Sequence, residues 1–145
     1  MYESISELLS DVGMHYISRS DLPLVELKSV KKTILLFTDK DEIELIAQQS
    51  DLNAIALKNS PIPKDDWKKI ANTANELASL NILIDCETNT VQGIVDMVMD
   101  ICKKQPDIAI ILDNPTINID ESDKQRLNDL ASINKLSIVV NKNES

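Results

Sequence analysis

Four short apolar runs, spaced along 145 residues, leave this chain few folds to choose from. They are residues 33–37 (Thr33-Ile34-Leu35-Leu36-Phe37), 81–85 (Asn81-Ile82-Leu83-Ile84-Asp85), 108–113 (Ile108-Ala109-Ile110-Ile111-Leu112-Asp113) and 137–140 (Ser137-Ile138-Val139-Val140). None alternates with polar residues, which is the pattern of a strand buried on both faces. The segments between them carry apolar residues at helical spacing. Strands that alternate with helices pair in parallel through right-handed crossovers. The expected class is α/β: three layers, with a mostly parallel sheet and helices on both faces.

The remaining elements follow from caps and breakers. Residues 3–9 read as a short helix with Ile5, Leu8 and Leu9 on one side. Residues 11–32 read as irregular, with an edge strand at 24–27. Thr38 reads as an N-cap with Asp41 in an acidic first turn, opening a helix that carries Ile43, Leu45, Ile46 and Ala47. Residues 52–57 read as a further short strand. Pro63 opens a helix over 64–80, and Thr88-Asn89-Thr90 caps one carrying Val91, Ile94, Val98 and Cys102. A helix over 120–133 turns Leu127, Leu130 and Ala131 inward, and residues 141–145 read as a frayed end.

Composition narrows the partners. The formal net charge of −9 opposes phosphate backbones and anionic membranes, so neither direct nucleic-acid binding nor membrane binding is expected. Lys31-Lys32, Lys68-Lys69 and Lys103-Lys104 read as solvated flanks. Aromatic residues make up 3%, so the core is aliphatic. Cys86 and Cys102 lack metal-ligand spacing; a disulfide is left open, and reduced thiols are the expected state. With no basic and apolar leader at Met1-Tyr2-Glu3-Ser4, the expected location is the cytoplasm. His15 is the only histidine and supports no nucleophile–base pair.

Asp113 is the acid that most bears on function. Ligands of open α/β sheets gather at the carboxyl ends of strands. In a nucleotide-hydrolysing sheet, an Asp there helps hold Mg²⁺ beside a glycine-rich phosphate loop. This chain has two glycines, Gly13 and Gly93, and no G-x-x-x-x-G-K-[ST]. Asp113 therefore reads first as a strand-ending residue ahead of an Asn114-Pro115 turn. Asp39, Asp85 and Asp113 each follow a strand, and the alternative reading joins them in a metal-dependent site. Lys142 beside such acids is also a feature of receiver domains, but the distance in sequence from Phe37 to Ile108 is too long for that fold. Trp67, the only tryptophan, packs its helix onto the sheet in the stronger reading and anchors a partner in the other.

The order of Asp66-Trp67, its Ala-rich helix, the run ending in Asp85, Thr88-Asn89-Thr90-Val91, the run ending in Asp113, Arg126-Leu127-Asn128-Asp129-Leu130-Ala131 and residues 136–140 resembles the RecA-like C-terminal ATPase domain of DnaB-type replicative helicases. The resemblance covers roughly residues 32–143. It implies a degenerate RecA-like, P-loop-like domain over 32–145, preceded by an irregular segment over 1–31. It makes Asp113 the degenerate Walker B position. It leaves the family's first strand, phosphate loop and next helix without a counterpart. Lys40 falls where the family has its catalytic Glu, and Asn141-Lys142 where it has a polar sensor. The DNA-contacting loop shrinks to about 114–119, and the chain stops before the arginine-finger segment.

These departures imply a non-catalytic interaction module that regulates or inhibits a helicase or its loader. No catalytic residue, metal or cofactor is expected. The partner is a protein, a replicative helicase or a loader, and self-association is a further option. The alternative is a nucleotide- or Mg-binding sensor or hydrolase using Asp39, Asp85 and Asp113.

Overall fold

The computed structural model describes residues 5–18, 24, 27, 30–59 and 61–141. The elements are α1 (Ile5–Leu9), β1 (Gly13–Ile17), β2 (Thr33–Thr38), α2 (Glu42–Ser50), α3 (Ala54–Asn59), α4 (Lys64–Ala78), β3 (Ile82–Asp85), α5 (Val91–Lys104), β4 (Ile108–Asp113), α6 (Glu121–Asn134) and β5 (Ser137–Asn141). The five strands form one sheet, in the order β1-β5-β4-β2-β3, and every pairing is parallel. The expected α/β class, with helices on both faces, is borne out.

Successive strand residues point to opposite faces, and the core divides accordingly. Leu35, Phe37, Ile108, Ile110, Leu112, Ile138 and Val140 pack beneath α5 and α6, against Val91, Ile94, Val98, Leu127 and Leu130. Ile34, Leu36, Ala109, Ile111 and Val139 pack on the other face against Ile5, Leu8 and Leu9 of α1 and against Leu24 and Leu27. The buried Ser137 hydroxyl donates to the Leu8 carbonyl at 2.6 Å, tying α1 to β5. Every residue of β2, β4 and β5 is buried, as their unbroken apolar runs require.

Several local readings are corrected. Residues 13–17 are a strand, not irregular backbone, and it stands beside β5 in parallel. An edge strand needs apolar contact on less of its surface, so Gly13-Met14-His15-Tyr16-Ile17 shows no strong apolar signal. Leu24 and Leu27 are buried in helical backbone rather than extended, while Val25 and Glu26 lie outside the described residues. The short strand expected at 52–57 is instead α3: Asn53 Oδ1 accepts from Ala56 N at 3.0 Å, capping a helical turn. Asp41, not Thr38, caps α2, accepting from Glu44 N at 2.8 Å. The cap expected at Thr88-Asn89-Thr90 falls on Thr90, and Asp120 caps α6 in a reciprocal capping box with Asp123. β3 is an edge rather than a buried strand, with Leu83 and Ile84 half-exposed.

Gly13 opens β1 with φ +122, and a Cβ built there would meet nothing within 4 Å. Any penalty for a side chain is therefore backbone strain alone. Gly13→Ala is expected to lower stability by about 1 kcal/mol, measured by denaturant melts with unchanged m.

Candidate functional site at the carboxyl edge of the sheet

The carboxyl ends of the strands bring together side chains far apart in sequence. Thr38 pairs with Asp113 across β2 and β4. Leu112 pairs with Val140, so the next step along β4 and β5 sets Asp113 beside Asn141. Asn141 Nδ2 donates to Asp113 Oδ1 at 2.9 Å within the buried interior. Thr38, Asp113 and Asn141 continue the alternation of Ile34-Leu36, Ala109-Ile111 and Val139, so all three belong to the α1 face. They are the polar terminus of an otherwise aliphatic layer, and each is at least 95% buried.

Asp113 remains the focal acid. Burial pushes its carboxyl above the ordinary range; Lys40 and the Asn141 hydrogen bond pull it back, and Asp39 adds to the rise. Lys40, which the resemblance sets at the family's catalytic Glu position, thus favours the charged form of the buried acid. Its backbone N–H donates to Thr38 Oγ1 at 3.2 Å. Asp39 itself is exposed.

Asp85 is differently employed. Its carboxylate accepts from the backbone N–H of Glu87 at 2.9 Å, the backbone N–H of Thr88 at 2.8 Å and the Thr88 hydroxyl at 2.7 Å. Partial burial raises its pKa, but these bonds outweigh burial and hold the carboxyl below the usual range. Asp85 is thus the brace of the β3–α5 turn. Among the described residues no three His, Cys, Asp or Glu side chains converge as a metal site, so Asp39, Asp85 and Asp113 share an edge without forming one cluster.

Asn114 behaves as its turn chemistry implies, its Oδ1 accepting from Thr116 N at 2.9 Å and from the Thr116 hydroxyl. The loop it starts walls an open cleft of about 320 Å³, lined by Tyr16, Leu112, Asn114, Pro115, Ile117, Ile119, Lys124, Val140 and Asn141. Tyr16 and Lys124 were not singled out by sequence. Only the pairing of β1 with β5 brings Tyr16 opposite Val140. Lys142 lies outside the described residues.

Neither glycine lies at the carboxyl end of a strand. Gly13 begins β1, and Gly93 sits in the first turn of α5, donating its N–H to Thr90 Oγ1 at 3.1 Å. A Cβ on Gly93 would come within 2.9 Å of Thr88 Cγ2, which makes it a packing residue of the β3–α5 turn. Trp67 does not pack α4 onto the sheet: it is 54% exposed, and α4 buries no residue fully. Cys86 and Cys102 are both free. No helix among the described residues is long and apolar enough to cross a membrane.

No protein-family model matches the sequence, and no curated protein matches it either. Solved structures do match. One is an ATPase domain, with a TM-score of 0.63 and 16% identity over 88% of this chain and 56% of that one. Another is a DnaB-like replicative helicase, described with its interactions with primase. It gives a TM-score of 0.62 and 15% identity over 91% of this chain and 39% of that one. This chain therefore spans little more than half of the first structure and less than half of the second. The likeness is one of fold, and at that level the RecA-like, helicase-type architecture implied by the sequence is borne out.

Proposed function

We propose, starting from the RecA-like fold that this chain shares with DnaB-type helicase ATPase domains, that it is a non-catalytic interaction module. It acts on a replicative helicase or its loader, as a regulator or inhibitor. The observation that carries this reading is the state of the carboxyl edge. The acid at the Walker B position is buried against Asn141, and Lys40 replaces the acid expected beside it. The chain's two glycines both serve other elements. A phosphate cradle needs backbone that approaches the ligand closely and takes dihedrals that side chains disfavour. Asp113 and Asn141 are engaged with each other and Asp85 with its own turn, while the packed body of the fold persists.

One observation favours the sensor reading. A buried carboxyl with a raised pKa, at the carboxyl edge of an α/β sheet, is a common mark of a ligand site. The same assays separate the two. The interaction module is expected to release no phosphate from Mg-ATP beyond a boiled control, to show no shift in melting temperature with Mg-ATP, and to be retained at low salt by purified replicative helicase. Nucleotide-dependent stabilisation that disappears in Asp113→Asn, with no helicase retained, would reverse the assignment.

A further inference from the structure

We propose that two copies of this chain associate through their β3 edges, antiparallel, into one continuous sheet with five strands from each copy. This stands apart from the helicase reading. Among the described residues β3 pairs only with β2, so its outer backbone edge is open. Soluble proteins blunt such an edge with short strands, charged residues, proline or a bulge. β3 is short and ends in Asp85, but it contains neither lysine nor proline, and Leu83 and Ile84 are each 47% exposed, on opposite faces. An open cleft flanks each face. Ile84 borders one of about 200 Å³ with Ala74 and Leu77 of α4. Leu83 borders one of about 400 Å³ with Met97 and Ile101 of α5.

Charge identifies the occupant. The carboxyl end of β3 is acidic, with Asp85 and the exposed Glu87. The amino end is marked by Asn81, whose Nδ2 donates to Thr33 Oγ1 at 2.7 Å. Gln105 donates to that same hydroxyl, so the end of α5, with exposed Lys103 and Lys104, stands at the amino end of β3. Two identical edges related by a twofold axis must run antiparallel. The acidic end of each copy then meets the basic end of the other. The same axis keeps both α5 helices on one face of the joined sheet, where Met97, Ile101 and Leu83 of each copy meet. A parallel arrangement would set acid against acid.

The test is sedimentation velocity on the whole chain up to about 100 μM, where a micromolar Kd gives mostly dimer. A particle of twice the chain mass is expected. Leu83→Lys with Ile84→Lys is expected to raise the dimer Kd at least tenfold, with the far-ultraviolet circular dichroism retained. Glu87→Lys and Lys104→Glu should each weaken the dimer, and the combined charge swap should restore it. If the lysine pair fails to fold, the charge swap, made at exposed positions, decides alone. A monomer at every concentration overturns the proposal. So does a dimer indifferent to the lysine pair, or one that the combined swap does not restore.

Discussion

A chain started at residue 32, keeping the stretch whose sequence resembles the helicase domain, is expected to lose its cooperative thermal transition. The omitted segment supplies Ile5, Leu8, Leu9, Leu24 and Leu27 to the α1-side core, each no more than 6% exposed. Full burial of such a side chain contributes about 1.5–3 kcal/mol, so the five together contribute roughly 8–15 kcal/mol as an upper bound. That equals the whole net stability of a typical domain, about 5–15 kcal/mol. The omission also strips β1 from β5, a five-residue parallel pairing, and leaves Ser137 without the Leu8 carbonyl. Circular dichroism melts and dye binding to exposed apolar surface measure the effect. A sharp transition within a few degrees of the intact chain would mean that residues 1–31 are an appendage, not part of the core.

The second large effect concerns the buried pair. Asn141→Ala removes the donor that Asp113 Oδ1 holds in the interior, and is expected to lower stability at pH 7 by about 1–3 kcal/mol, the penalty of an unpaired buried group. In an Asp113→Asn background the same substitution should do less, because no carboxylate is left stranded, and the difference is the coupling of the pair. Asp113→Asn alone is expected to be neutral or stabilising at pH 7, since it removes a buried charge while keeping an acceptor for Asn141. The sign with pH follows from the raised carboxyl. Between the unfolded and the folded pKa the native state binds more protons than the unfolded state. The favourable contribution is complete below the unfolded value and is lost as pH rises through the folded one. Melts of the intact chain minus those of Asp113→Asn should therefore show a relative fall in stability as pH rises out of the acid range. A difference that grows with pH would contradict the burial-driven shift.

The strand readings at β2, β4 and β5 succeed for a physical reason. A strand buried on both faces is apolar through its middle, and that demand is local enough to be written into residues 33–37, 108–113 and 137–140. The helices announce themselves through caps such as Thr90 and Asp120, whose hydrogen bonds span three residues. β1 leaves no such trace, because it is held by a ladder to a strand more than a hundred residues away. Residues 52–57 mislead because Ala, Ile and Leu in a short run serve a strand or a helix equally well. The choice falls to the Asn53 cap.

The candidate site divides in the same way. Asp113 and Asp85 are legible as acids closing apolar runs. Chain order alone says nothing of the Asn141 partner, of the Lys40 field or of Tyr16 in the cleft, because parallel register determines which strand ends become neighbours. Local pattern thus determined the parallel α/β class, the buried central strands and the acids at their ends. Tertiary structure decided which of those acids is buried, which braces a turn and which strands stand at the edges of the sheet. Burial and hydrogen bonding across the sheet depend on distances that only the closed fold creates.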